Sequence, residues 1–118
     1  MLMTHQESRL QQACVKWFRL QHRKLSLSLF AIPNGGFRNK KEAGIMKGEG
    51  VLAGVSDLML LHPNSSFHAL AIEMKTPSGR QSASQRSWQH HIEQDGYKYA
   101  ICRSLDDFIK TVNDYLNS

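Results

Sequence analysis

Asp57, Glu73 and Lys75 are the residues of this chain best suited to chemistry. They stand in Gly54-Val-Ser-Asp57-Leu-Met-Leu-Leu61 and Leu70-Ala-Ile-Glu73-Met-Lys75, two apolar runs that read as buried strands. A carboxylate in such surroundings costs several kcal/mol unless it is paired or binds a cation. Two carboxylates and a lysine at the ends of neighbouring strands suit metal-dependent cleavage of phosphodiesters. The runs flank His62-Pro-Asn-Ser-Ser-Phe67, a cluster of turn formers, so they are expected to pair as an antiparallel hairpin centred near Ser65. That register sets Asp57 opposite Glu73. Side chains alternate along a strand, so Glu73 and Lys75 share one face while Ile72 and Met74 take the other. A slip of one residue would separate the three charges.

The remaining elements must bring these ends together. Residues of about 6–23 form an amphipathic helix, with Leu10, Ala13, Cys14, Trp17 and Phe18 at helical spacing. Ser26 to Phe30 alternates polar and apolar, the pattern of a half-buried strand. A basic stretch over 38–47 follows and reads as a short helix. Glycines at 48, 50 and 54 mark a loop into the Asp57 strand. Thr76-Pro-Ser-Gly79 is a turn, Ser82 to about Asp95 a helix stopped by Gly96, and Tyr97 to Cys102 a short strand. Ser104 caps a last helix with an apolar face of Leu105, Phe108, Ile109, Val112, Tyr115 and Leu116. The fold class is α/β, a small mixed central sheet flanked by helices. Its order is helix, strand, basic segment, strand, strand, helix, strand, helix, in one domain over residues 1–118.

Composition narrows the partners. The chain has 118 residues and a net charge of +5 at pH 7, which favours a polyanion. Cys14 and Cys102 stand alone, without metal-ligand spacing, and are expected to be buried thiols in a reducing compartment. No run is long enough to span a membrane and no secretory leader is evident, so a cytoplasmic protein is expected. His90 and His91 are adjacent on a helix and point about 100° apart, poor geometry for chelation. Trp17 and Trp88 are expected in the core.

The ordered set Gly54-x-x-Asp57-Leu, Ile72-Glu-Met-Lys-Thr-Pro77, Ser82-x-x-Gln85-x-x-Trp88 and Gly96 resembles the VRR-NUC (virus-type replication-repair nuclease) domain. This is a branch of the PD-(D/E)xK superfamily, with a restriction endonuclease-like core. Glu7 matches an acidic residue that many members carry on the first helix. Ser56 stands where the family often has proline. The resemblance implies a deoxyribonuclease using Mg²⁺ or Mn²⁺. Asp57, Glu73 and the Met74 backbone carbonyl would hold the ion. Lys75 would orient or deprotonate the attacking water, and Gln85 would reach the same water. Glu7 would touch a metal through water or hold a second ion. Stand-alone members look like Holliday-junction resolvases, so a homodimer acting on branched DNA in DNA repair, in a bacterial or phage-infected cell, is expected. One small domain carries one active site, and symmetric cutting needs two.

Alternative readings run alongside. Asp57 alone would be a strand-start cap with Lys75 as its ion-pair partner; the three charges in register favour the metal site. Ser82-x-x-Gln85 is also a capping box, which explains both residues without catalysis. Glu7 is also favoured near a helix N-terminus by the dipole. Arg38, Lys40, Lys41 and Lys47 precede the site and are expected to contact DNA phosphates, with Arg80 on the opposite rim. Gly35-Gly36 either lets a backbone approach nucleic acid or forms a plain turn. Two other functions use the same fold: a flap or restriction-type endonuclease, and a non-catalytic DNA-binding subunit.

Overall fold

The computed structural model describes residues 3–33 and 39–118. Helix α1 (His5–Gln21) opens on a capping box, in which the Thr4 hydroxyl accepts from the Glu7 N–H and the Glu7 carboxylate accepts from the Thr4 N–H. Cys14 and Phe18 are its buried stripe, with Leu10 and Trp17 packed alongside. Ala13, expected on that stripe, is exposed.

The next segment departs from expectation. Arg23–Ser28 is a 3-10 turn, and strand β1 covers only Leu29–Ala31. Of the alternating leucines, Leu29 is buried, Leu25 only half-buried, and Leu27 is 98 % exposed. A strand needs a partner along its length. Strand β2 (Leu58–Leu60) supplies three residues, pairing Leu29↔Leu60, Phe30↔Met59 and Ala31↔Leu58. Beyond them the chain meets its own helical turn instead.

Helix α2 (Lys40–Gly48) is capped by the Asn39 side chain, which accepts from the Glu42 N–H at 2.9 Å. Strand β3 (Leu70–Met74) pairs antiparallel with β2 as Leu58↔Ile72, Met59↔Ala71 and Leu60↔Leu70. A turn centred on Ser65 dictates this register, and one step outward Asp57 faces Glu73. Helix α3 (Ala83–Gln94) crosses over to β4 (Lys98–Cys102), which lies parallel to β3. Helix α4 (Leu105–Leu116), capped by Ser104, closes the fold. The sheet order is β1-β2-β3-β4.

Alternation sends the two faces of the sheet to different jobs. Leu58, Leu60, Leu70, Ile72 and Met74 face α1 and α4, packing with Phe18, Phe108, Val112 and Tyr115. Ala71 and Tyr99 face α3, packing with Ile92 and Trp88. Glu73 and Lys75 share parity with Ala71 and so lie on the α3 side. Cys14 and Cys102 are free and buried, and burial pushes their thiols up to about 12 and about 11, which leaves them unreactive. Among the described residues, no helix is long and apolar enough to cross a membrane.

Gly54 ties the loop before Asp57 to the start of α3. Its φ is +92°, and a Cβ there would lie 2.6 Å from the Ser84 carbonyl carbon. Gly54→Ala therefore meets both left-handed strain and a backbone clash. The expected cost is about 3 kcal/mol, read from urea denaturation. A loss below about 1 kcal/mol would show that this loop does not press on α3.

Candidate metal centre

Asp57 sits just before β2, held there by two bonds. The Ile32 N–H donates to its backbone carbonyl at 2.9 Å, and the Met74 N–H donates to its side-chain Oδ2 at 2.7 Å. Ser56, buried completely, donates its hydroxyl to the Leu58 carbonyl at 3.0 Å. That bond restrains the strand entry, the service a proline at this position would give by fixing φ.

Glu73 is 3 % exposed and Lys75 6 % exposed. The Lys75 Nζ lies 3.9 Å from Glu73 Oε2. Gln85, on the first turn of α3, donates its Nε2 to the same oxygen at 3.0 Å. Its Oε1 meanwhile accepts from the Ser82 N–H at 2.8 Å, completing a capping box. The two ends of one amide thus serve the helix start and Glu73 together. Glu7 likewise caps α1 through Oε1 and lines the same pocket. This opening of about 40 Å³ is bordered by Met3, Glu7, Asp57, Glu73, Met74, Lys75 and Gln85.

Electrostatics favour a cation here. Burial pushes the Glu73 carboxyl well above its usual range, and the neighbouring Asp57 charge adds to this. Burial raises Asp57 too, against the lowering effect of the Met74 N–H. Glu73 Oε1 is buried without a hydrogen-bond partner. An unpartnered carboxylate oxygen beside a second carboxylate suits a metal ligand. Among the described residues, no three His, Cys, Asp or Glu side chains converge as a ready-made set. Two carboxylates fit a hard divalent cation, which takes oxygen ligands and keeps several waters.

The basic residues are dispersed. Lys40, Lys41 and Lys47 are exposed on α2, and Arg80 is exposed between the Thr76–Gly79 turn and α3. None of the four borders the pocket. Arg38 and Gly35-Gly36 lie outside the described residues.

Two residues near the site escaped the sequence reading. Arg103 follows β4, and its Nη1 donates to the carbonyls of Thr76 at 2.8 Å and Gly79 at 2.7 Å. It clasps the turn that leaves Lys75. The signal was the parallel register: Met74 pairs with Cys102, so the residue after Cys102 must come alongside the chain after Met74. Arg103→Ala is expected to cost about 2 kcal/mol in a urea melt, the scale of hydrogen bonds from a charged donor. An unchanged midpoint would show that the turn stands by itself. The second is Tyr99, whose hydroxyl is buried near Glu73.

Asp57, Glu73, Lys75 and the helix-borne Gln85 thus meet beside a mixed sheet, a layout consistent with a PD-(D/E)xK core. The family model of the VRR-NUC domain matches residues 2–106, and the chain belongs to that family. A solved structure described as a VRR_NUC domain protein superposes with a TM-score of 0.84, covering 98 % of this chain and 92 % of that one. At 23 % identity this likeness speaks to the fold. Among curated proteins, none matches the chain.

Proposed function

We propose that this domain is a Mg²⁺- or Mn²⁺-dependent endodeoxyribonuclease selective for branched DNA, acting as a homodimer in the manner of a Holliday-junction resolvase. The carrying observation is the buried Glu73 Oε1 without a hydrogen-bond partner, on a carboxyl pushed up by its neighbour Asp57, with Lys75 and Gln85 both lying on Oε2. Asp57 and Glu73 would hold the ion, joined by the Met74 carbonyl. A bound divalent ion supplies charge neutralisation of the phosphate and acidifies water. The Met74 N–H fixes the aim of Asp57, while Gln85 and Lys75 fix that of Glu73. Lys75 orients the attacking water and offsets charge that develops on the phosphate. Glu7 takes an outer position on the same rim.

DNA contact falls to the exposed lysines of α2 and to Arg80. Lys40 and Lys41 occupy the first turn of α2, where the positive end of the helix disfavours cations. Phosphates laid across that end relieve the repulsion. The domain offers no base-reading motif, so shape is the substrate determinant.

The test is cleavage of a labelled four-way junction beside linear duplex and flap DNA, with Mg²⁺, Mn²⁺ or EDTA, and light scattering on the same preparation. Paired metal-dependent nicks in the junction by a dimer support the reading. Cutting of duplex or flap keeps the site and replaces the substrate. Tight binding without cutting of any substrate defeats the enzymatic reading and leaves a DNA-binding subunit. A monomer at micromolar concentration defeats the dimer.

A further inference from the structure

Tyr99 is placed where the proposed site has an unmet need. In the parallel pairing of β3 with β4, Tyr99 lies beside Ala71 and Ile101 beside Glu73. Tyr99 and Glu73 therefore share a face, one diagonal step apart. The Tyr99 ring is 7 % exposed and packs edge-on against Trp88, with centroids 6.2 Å apart. Its hydroxyl is buried and makes no hydrogen bond. Glu73 and Gln81 lie close enough to act on it, and the Gln81 Nε2 is already given to Gln89 at 2.8 Å. Glu73 Oε1 is likewise buried without a partner. One is a donor without an acceptor, the other an acceptor without a donor.

An unsatisfied buried hydroxyl destabilises a fold, and phenylalanine would fill the same space without it. A phenol is protonated through neutral pH and able to donate. We propose that Tyr99 is a positioning residue for Glu73, its hydroxyl held in reserve to donate to that carboxylate when a divalent ion is bound. This rests on the metal-site reading above. Outer-shell donors of this kind orient a ligating carboxylate and typically change metal affinity by about 10–100-fold.

The experiment compares the full chain with Tyr99→Phe and Glu73→Gln. Mn²⁺ binding is read directly by electron paramagnetic resonance, and thermal melts are recorded with and without Mn²⁺. Tyr99→Phe is expected to bind Mn²⁺ about tenfold more weakly while melting, metal-free, at the parental temperature or above. A hydroxyl with a purely structural role would show the reverse: lower melting and unchanged affinity. Either of those results overturns the inference. If Glu73→Gln still binds Mn²⁺ with parental affinity, the metal-site reading falls and the Tyr99 role falls with it. If Glu73→Gln loses the ion and Tyr99→Phe does not weaken it, only the Tyr99 role is lost.

Discussion

Asp57→Asn is expected to slow metal-dependent cleavage by about 10³-fold or more, while the metal-free protein melts at a higher temperature than the parent. The two effects share a cause. An asparagine oxygen can still accept from the Met74 N–H that now holds Oδ2 at 2.7 Å, so the strand entry keeps its shape. What disappears is a buried negative charge beside Glu73, whose carboxyl that charge helps to push up. Losing several kcal/mol of metal-assisted stabilisation corresponds to three or more decades in rate. Lys75→Ala should be equally slow but move stability the other way, because it removes the cation 3.9 Å from Glu73 Oε2. Time courses on a labelled junction, paired with melts in EDTA, give both quantities. Cleavage by Asp57→Asn within tenfold of the parent would end the assignment of Asp57 as a ligand.

The second large effect is on pH dependence. Burial and the Asp57 charge raise Glu73 to about 9 in the folded protein, whereas a free glutamate titrates near 4.3. Between those values the folded protein holds a proton that the unfolded chain has lost. The stabilisation is complete below the unfolded value and disappears as pH rises through the folded one. Asp57 is shifted in the same direction. The metal-free protein should therefore melt lower at pH 8.5 than at pH 6. The difference amounts to a few kcal/mol at most, with about 4 °C in Tm per kcal/mol for a chain of this length. Glu73→Gln should flatten that slope. Added Mg²⁺ should raise Tm more at pH 8.5 than at pH 6, because ligand binding requires the ionised form. A slope identical in parent and Glu73→Gln would show that Glu73 ionises normally.

Much of the site could be read in advance because its geometry is local. The turn between β2 and β3 is bounded tightly by His62-Pro63 and Phe67, so one register follows, and with it the facing of Asp57 and Glu73. The helix starts at Ser82 and Ser104 are equally local, since a cap and its partner are three residues apart. Arg103 and Tyr99 were hidden for the opposite reason. Both reach the site through the parallel β3–β4 pairing, whose register depends on how α3 crosses over and not on any short motif. The strand expected over Ser26–Phe30 is shortened to Leu29–Ala31 because alternation describes a strand only where a partner exists, and β2 stops after three residues. Substrate shape and assembly state reside in surfaces that no spacing rule encodes.

The amide of Gln85 has an implication for how such chains can vary. Its oxygen finishes the start of a helix and its nitrogen steadies a carboxylate, so the side chain needs an acceptor and a donor at one tip, at one length. Glutamate would finish the helix but has no N–H to give Glu73. Lysine would steady Glu73 but leave the Ser82 N–H unserved. Asparagine carries both groups but is one methylene short. The start of α3 and the seating of Glu73 consequently hang on one side chain, and a substitution at position 85 is expected to disturb both.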